Sequence, residues 1–356
     1  MQFTFDEDQL LFQSTVREFL AKECTPDVVR SAWAAETGRA PGLWAKLAEL
    51  GVPGLLVPEA QHGMGMDEID AVLLYEEAGR AALAEPLVAT GAVAAPMIAA
   101  LADLPEGEAW LERIARGDAV VAVGHEVSPF VEDADVADLL LVQRGDAVHA
   151  VDPGRAQVVR EPANDPARRL FSVSFEATRE TCVADGGVGR DLWAAALDRG
   201  AFACAAQQIG ATDHLVEMAV AYAGQREQFG VPIGSFQAVK HMLADVKVAL
   251  EYARPVVYRA AHAVARGLAE RSVHVSMAKL VASQAALRGA RVALQVHGAI
   301  GYTWEQDLHI WMRRAWSLEM AWGRSAFHRK RVGQAILAPD AWLGPGETFA
   351  AAEGEP

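Results

Sequence analysis

Cysteine is scarce. Cys24, Cys182 and Cys204 are the three in 356 residues, and they sit far apart with no Cys-x-x-Cys pair. That excludes a disulfide scaffold and a cysteine-rich zinc site, and it points to a reducing compartment. Positive charge is also short: 32 Lys and Arg face 47 Asp and Glu, for a net −15. That balance argues against nucleic acid or an anionic membrane surface as the main partner, since both need concentrated positive charge. No long hydrophobic run is present. The most apolar stretch, Pro86 to Ala102, is mostly Ala, Val and Gly and contains Gly91 and Pro96. A spanning helix needs ~20 strongly apolar residues, so a packed helix pair is expected there. The acidic N-terminus, Met1 to Asp8, has neither the basic nor the apolar region of a secretory signal. A soluble, cytoplasmic protein is the expectation.

Standard catalytic signatures are missing too. There is no Gly-x-Ser-x-Gly elbow and no Walker-type loop ending in Lys-Ser or Lys-Thr. Gly186-Gly187-Val188-Gly189 is glycine-rich but follows no βα unit, so it reads as a linker rather than a phosphate cradle. A di-iron helix bundle needs Glu-x-x-His pairs on facing helices. The spacing occurs once, at Glu59 to His62, in a Pro/Gly loop. No metal site is expected, and no internal repeat is visible.

What is present is a globular balance, 52% apolar and 22% charged, on a length suited to roughly two to three domains. Residues 1–117 have helical texture. Leu10, Leu11, Val16, Phe19 and Leu20 fall on one broad helical face. Pro41 opens and Gly51 closes a second helix, and Asp67 can cap a third that ends near Gly79. Residues 118–188 change period. Val120–Gly124, Ala137–Val142, Ala147–Val151 and Phe171–Glu176 are short β-like runs between Gly, Asp and Pro, as in a small antiparallel barrel or sandwich. Residues 189–338 return to long helices: about Asp191 to Gln225, then from Gly234-Ser235 to Gly267 with a kink at Pro255, then Ser272 to Gly298, then Trp304 to Leu337. Four long helices with short connections read as an antiparallel bundle. Residues 339–356 read as a frayed tail. The fold class is thus mainly α with a small β domain.

Three segments together resemble the acyl-CoA dehydrogenase family. The first is Leu43 to Pro58 with Gly63-Met64-Gly65 and Glu76-Glu77-Ala78-Gly79-Arg80. The second, highly specific, runs from Gln225-Arg226-Glu227-Gln228-Phe229-Gly230 through Phe236, Gln237 and His241 to Asp245. The third is Gln295-Val296-His297-Gly298-Ala299-Ile300-Gly301-Tyr302, followed by Asp307 to Ala315. The resemblance covers almost the whole chain. It implies an N-terminal helical domain, a middle β domain and a C-terminal four-helix bundle. It also implies FAD, an acyl-CoA thioester substrate, and α,β-dehydrogenation in which a carboxylate removes the α-proton and hydride leaves to the flavin.

Read as residues, the second and third segments suit an FAD tail. Arg226 is a fixed cation beside the Phe229-Gly230 turn and can pair with a pyrophosphate, while Phe229 can pack on adenine. Gln295, Val296, Gly298 and Gly301 lie where backbone can approach a ligand closely. Phe236, Gln237 and His241 either join that site or pack between helices. The bland alternatives are an ion pair of Arg226 with Glu227 and a helix C-cap at Gly298. Matching residues in the family reach across to the FAD of a neighbouring subunit.

The departures matter as much as the match. The family's usual base, a Glu nine residues after the position of Arg313, is here Trp322, with Gly323 behind it to fix the register. The alternative base position is Gly200, followed by Ala201. Gly323-Arg324-Ser325-Ala326 replaces the FAD-binding Gly-Thr-Ser-Gln/Glu of typical members, and the middle region lacks both flavin-holding motifs. Gly124 to Pro129 stands where the first should lie, and Trp193 does not restore the second. Such a chain would complete an FAD site whose walls and Glu belong to a larger, related chain in an α2β2 heterotetramer. Relatives of that kind act on bulky polycyclic acyl-CoAs such as steroid side chains, and a vacated active site would leave them room. Trp322 would be core filler. An electron-transferring flavoprotein is the acceptor that family habit implies. Two alternatives stay open. One is a self-sufficient homo-oligomer with a displaced base, for which Glu319, three residues before Trp322 on an ideal helix, is the candidate. Helix carboxylates usually end as solvated residues or ion pairs, here with Arg314 or Arg324. The other is an assembly subunit without flavin.

Overall fold

The computed structural model describes residues 4–339 and 341. Of the proposed tail, Pro339 and Ala341 are described and the rest lies outside the described residues.

Helix starts follow their caps. Asp6 caps α1 (Glu7–Glu23) in a reciprocal box with Gln9, and Asp67 caps α4 (Glu68–Arg80) in another with Asp70. Thr25 and Pro26 open α2 (Pro26–Ala34), and α3 is Leu43–Glu49. On α1 only Val16 and Leu20 are buried; Leu10 and Leu11 face solvent, so the expected broad face is narrower than the apolar pattern. The apolar stretch after Pro86 is one continuous unit rather than a pair. A π-helical segment, Leu87–Ala94, runs directly into α5 (Ala95–Ala100), and α6 is Gly107–Ala115. Thr90 in the π-helical turn exchanges hydrogen bonds with both backbone groups of Val121 at 3.1 Å, tying it to the first strand.

The middle region holds seven strands in two sheets. β1 (Val121–Gly124), β3 (Leu139–Arg144), β4 (Ala147–Val151) and β7 (Cys182–Ala184) form one sheet in the order β1-β3-β4-β7. β2 (Val131–Glu132), β6 (Leu170–Phe175) and β5 (Ala156–Glu161) form the other. β1 and β3 pair in parallel, which corrects the all-antiparallel expectation; a connection of mostly loop structure, with β2 inside it, carries the chain back to the same end. Alternation along β3 then sorts the core. Leu140 and Val142 meet Val131 and Phe171 of the second sheet, while Leu139 and Leu141 join the main helical core.

The C-terminal helices are α7 (Gly186–Gln225), α8 (Gln237–Ala265), α9 (Arg271–His297), α10 (Leu308–Met320) and α11 (Ser325–Ile336). The glycine run 186–189 is not a linker. Asp185 caps α7 and the glycines are its first turn. Pro255 sits inside α8 without ending it. The expected fourth helix is two, broken at Ala321–Arg324. Close crossing of α4 and α7 explains Glu76-Glu77-Ala78-Gly79-Arg80. A Cβ on Gly79 would lie 1.9 Å from the Gln207 carbonyl oxygen, and one on Gly210 would lie 1.8 Å from that of Glu76. Glu77 accepts from Arg17 at 2.6 Å, Glu76 pairs with Arg254, and Arg80 pairs with Asp213 and Glu217. Among the described residues, no helix is long and apolar enough to cross a membrane.

Candidate functional site

The two vacant base positions are one contact. At the break between α10 and α11, Trp322 takes φ 52° and Gly323 φ 91°, which turns the indole back onto α7. There it covers Gly200 so closely that a Cβ on Gly200 would lie 2.1 Å from Trp322 Cδ2. His125, from the loop after β1, packs edge-on against Trp322 with centroids 6.0 Å apart and against Trp193 at 5.6 Å. Its Nδ1 accepts the Val127 N–H at 3.0 Å, which leaves Nε2–H for the Trp193 carbonyl at 3.3 Å. Burial pulls its pKa down to about 4, so the ring is neutral at neutral pH.

The break is clamped from beneath. The buried Lys279 ammonium donates to the carbonyls of Leu318, Glu319 and Gly323 at 2.8, 3.0 and 3.3 Å, capping the end of α10. Burial pulls Lys279 down to about 8. His328, also buried, bridges the Trp322 carbonyl at 2.9 Å and Ser276 Oγ at 3.1 Å. Glu319 Oε1 accepts the Ser325 N–H at 2.9 Å and so caps α11. That takes Glu319 away as a free base and from the expected arginine pairs, while its side chain stays half-buried on α10. α10 ends at Met320, so Glu319 does not share a helical face with Trp322, and it pairs with neither Arg314 nor Arg324. Arg314 is held by Asp165 at 2.7 Å and by the Leu83 carbonyl. Asp198, near Gly200 in sequence, is buried under Ser272, Arg271 and Arg331.

What remains beside Trp322 is a space of about 10 Å³, room for about one water. Its one lining carboxylate among the described residues, Glu132, is engaged by Arg168. The indole fills the rest, and an isoalloxazine ring does not fit here. A larger cavity of about 290 Å³ adjoins this space, sharing Ser128, Phe130 and Arg168 with it.

The tail-binding candidates gather at the far end of the helical bundle. The C-terminus of α7, the N-terminus of α8 and the C-terminus of α9 meet there, with Tyr222 stacked on His297 at 4.4 Å. Arg226 ends α7 and is exposed, and among the described residues its guanidinium makes no hydrogen bond or ion pair, not even with Glu227. A two-residue hairpin follows, β8 (Glu227–Gln228) with β9 (Val231–Pro232), and Phe229-Gly230 form its tip. Both tip residues have positive φ, 55° and 79°, as a type I′ turn requires. Phe229 is 94% exposed and touches Phe236 edge-on at 6.2 Å. Gln237, His241 and Gln295 are exposed as well. Gly298 is the C-cap of α9 at φ 65°, as in the bland reading, and a Cβ there would meet nothing within 4 Å, so its outer face is open. Val296 and Gly301 differ. Both are buried, and a Cβ on Gly301 would lie 3.0 Å from His297 and Leu294, so these two serve packing rather than ligand approach. An adenosine diphosphate moiety fits the exposed set: one free guanidinium, two aromatic faces, and amide and imidazole groups alongside.

The family model described as acyl-CoA dehydrogenase, N-terminal domain, matches residues 6–118, and that described as acyl-CoA dehydrogenase, C-terminal domain, matches residues 187–337. The chain is 34% identical over 310 residues to the acyl-CoA dehydrogenase IpdE2 of Mycobacterium tuberculosis, covering 87% of this chain and 91% of that one. It is 26% identical to cyclohex-1-ene-1-carbonyl-CoA dehydrogenase of Geobacter metallireducens, over 94% and 99% of the two chains. Among solved structures it superposes on a chain of the ChsE4-ChsE5 complex from Mycobacterium tuberculosis with TM-score 0.84, at 23% identity over 96% and 100%. A chain of the Tcur3481-Tcur3483 steroid ACAD gives TM-score 0.82, at 24% identity over 92% and 97%.

Proposed function

The chain belongs to the acyl-CoA dehydrogenase family, and from that premise we propose that it is the non-catalytic half of a heteromeric, FAD-dependent acyl-CoA dehydrogenase. One observation carries the reading: Trp322 lies on Gly200, so both family base positions are consumed in a single apolar contact. A carboxylate within reach of the substrate's α-carbon is required for proton removal, and this chain offers none there. The larger, related chain supplies the carboxylate and the walls for the flavin ring, in an α2β2 assembly. Two neighbours in fold are themselves described as paired chains, one a steroid ACAD, which supports a heteromer and a bulky acyl-CoA as substrate.

When bound, FAD supplies the hydride acceptor. This chain's contribution is to hold the tail of the partner's FAD. Arg226 pairs with the pyrophosphate, and Phe229 and Phe236 offer faces to the adenine. Gln237, His241 and Gln295 orient the ribose and phosphates, and the open side of Gly298 lets backbone come close. An electron-transferring flavoprotein is the acceptor in keeping with the family. The self-sufficient reading loses its candidate base, because Glu319 is spent capping α11. A flavin-free scaffold leaves unexplained a strained, solvent-facing Phe229 beside an Arg226 that has no side-chain partner among the described residues.

The test is to purify the chain alone and together with the neighbouring larger dehydrogenase chain, and to read flavin absorbance in each. Colourless alone and yellow with the partner is the expected outcome. A yellow chain bleached by an acyl-CoA without any partner overturns the proposal.

A further inference from the structure

Six side-chain polar atoms buried without a hydrogen-bond partner gather where the N-terminal helices meet the two sheets. They are Nε and Nη2 of Arg39, both carboxylate oxygens of Glu85, Oδ1 of Asp133 and Nη1 of Arg169. Glu85 precedes the π-helical turn, Asp133 follows β2, and Arg39 Nη2 lies 3.3 Å from Asp133 Oδ1. Glu85 and Asp133 line one cavity of about 50 Å³. That is room for a few waters and for nothing the size of a substrate. Buried polar atoms rarely go unsatisfied, so a polar cavity of this size is a hydration site.

The charges around it do not balance. Arg168 is taken by Glu132 and the Ser317 carbonyl, Arg169 by Asp135, and Arg314 by Asp165 and the Leu83 carbonyl. Arg39 alone is left to face two carboxylates. The remaining titratable neighbours are thiols. Burial pushes Cys24 up to about 11 and Cys204 up to about 12, so both stay neutral.

We propose that Glu85 and Asp133, which line this water-sized chamber with Arg39 set against Asp133, hold one proton between them through bound water, and that the joint between the N-terminal helices and the sheets is firm while the proton is held. The electrostatics agree in direction. Burial, only partly offset by Arg39 and, at Glu85, by the Ala40 backbone N–H, and reinforced there by the Asp133 charge, raises Glu85 to about 7 and Asp133 to about 6. A carboxyl raised above its unfolded value gives stability that is full below that value and is lost as pH rises through the folded one. The window runs from the ordinary carboxylate range up to about 7.

The experiment reads the carbonyl stretch of protonated carboxyl groups by infrared difference spectroscopy on the full chain, and the thermal midpoint across the same window. Glu85→Gln should remove a protonated-carboxyl band present at about pH 5.5. It should also flatten the fall of the midpoint, by several degrees, between about pH 5 and pH 7.5. Glu76, raised to about 7 by burial beside Arg254, contributes equally to both proteins and cancels in the difference. Asp133→Asn is the second variant and serves if the first does not fold. It leaves a single carboxylate facing Arg39, so Glu85 ionises and the same band disappears. An unchanged band in whichever variants fold, or equal midpoint slopes, overturns the proposal.

Discussion

Phe229 holds a left-handed backbone while 94% of it faces solvent. A bulky side chain in that region costs on the order of 1–2 kcal/mol, and burial returns nothing here. Asn tolerates the same φ, so Phe229→Asn should leave the chain as stable or more stable by about 1 kcal/mol in urea. The same change should weaken flavin retention in the assembled enzyme, as should Arg226→Ala, read as FAD content after gel filtration. Unchanged flavin content in both variants would remove these residues from the tail site. At this scale the exposed candidates were legible, because the motif from Arg226 to His241 is carried by side-chain identity and spacing. Val296 and Gly301 were not separable from them. Which way a helix-end residue points depends on how α9 meets α10, and spacing does not carry that.

The helices were legible from their caps and glycines, except where one element became two. Trp304 to Leu337 reads as continuous because the apolar pattern runs through Trp322. What stops the helix is tertiary: Lys279 and His328 reach from other elements to collect the carbonyls of the break. β2 and β7 escaped notice because two or three residues carry no readable alternation, and β5 because Ala156-Gln157-Val158-Val159-Arg160-Glu161 offers only two large apolar residues, side by side. The break makes a sharp prediction. Gly200→Ala should cost about 1–3 kcal/mol by forcing the indole off its seat. Trp322→Ala should cost about 3–5 kcal/mol through the cavity it leaves. Together they should cost less than the sum by about 1 kcal/mol or more, because the methyl enters space the indole has left. Strict additivity in denaturant unfolding would separate the two positions.

Over the whole molecule two sets of buried groups tilt stability in opposite directions. The raised carboxyls of Glu76, Glu85 and Asp133 weaken the fold as pH climbs toward about 7. His125 and His214, pulled down to about 4 by burial, and His328, pulled down to about 3, act the other way. Their folded values lie below 6.5, so the stability they allow is present above that value and is lost as pH falls through about 4. His214→Phe keeps the ring against Trp311, now 4.1 Å away, and removes one titration. It should lessen the acid loss between about pH 6.5 and pH 4 by on the order of 2 kcal/mol, measured by urea unfolding at each pH. An unchanged acid profile would mean that His214 titrates normally. The three-part architecture was legible at this scale from changes in hydrophobic period. The meeting of Gly200 and Trp322 was not, since 122 residues of sequence separate them.

That meeting also bears on how this chain can change. A carboxylate placed at 200 collides with the indole, and one placed at 322 lands in an apolar hollow with no flavin wall behind it. Trp322→Glu alone should therefore yield a less stable chain and no turnover. Every single-substitution route back to independent catalysis passes through a clash or a void. On the proposed reading, a ratchet of packing holds the division of labour, and losing the partner cannot be repaired in one step.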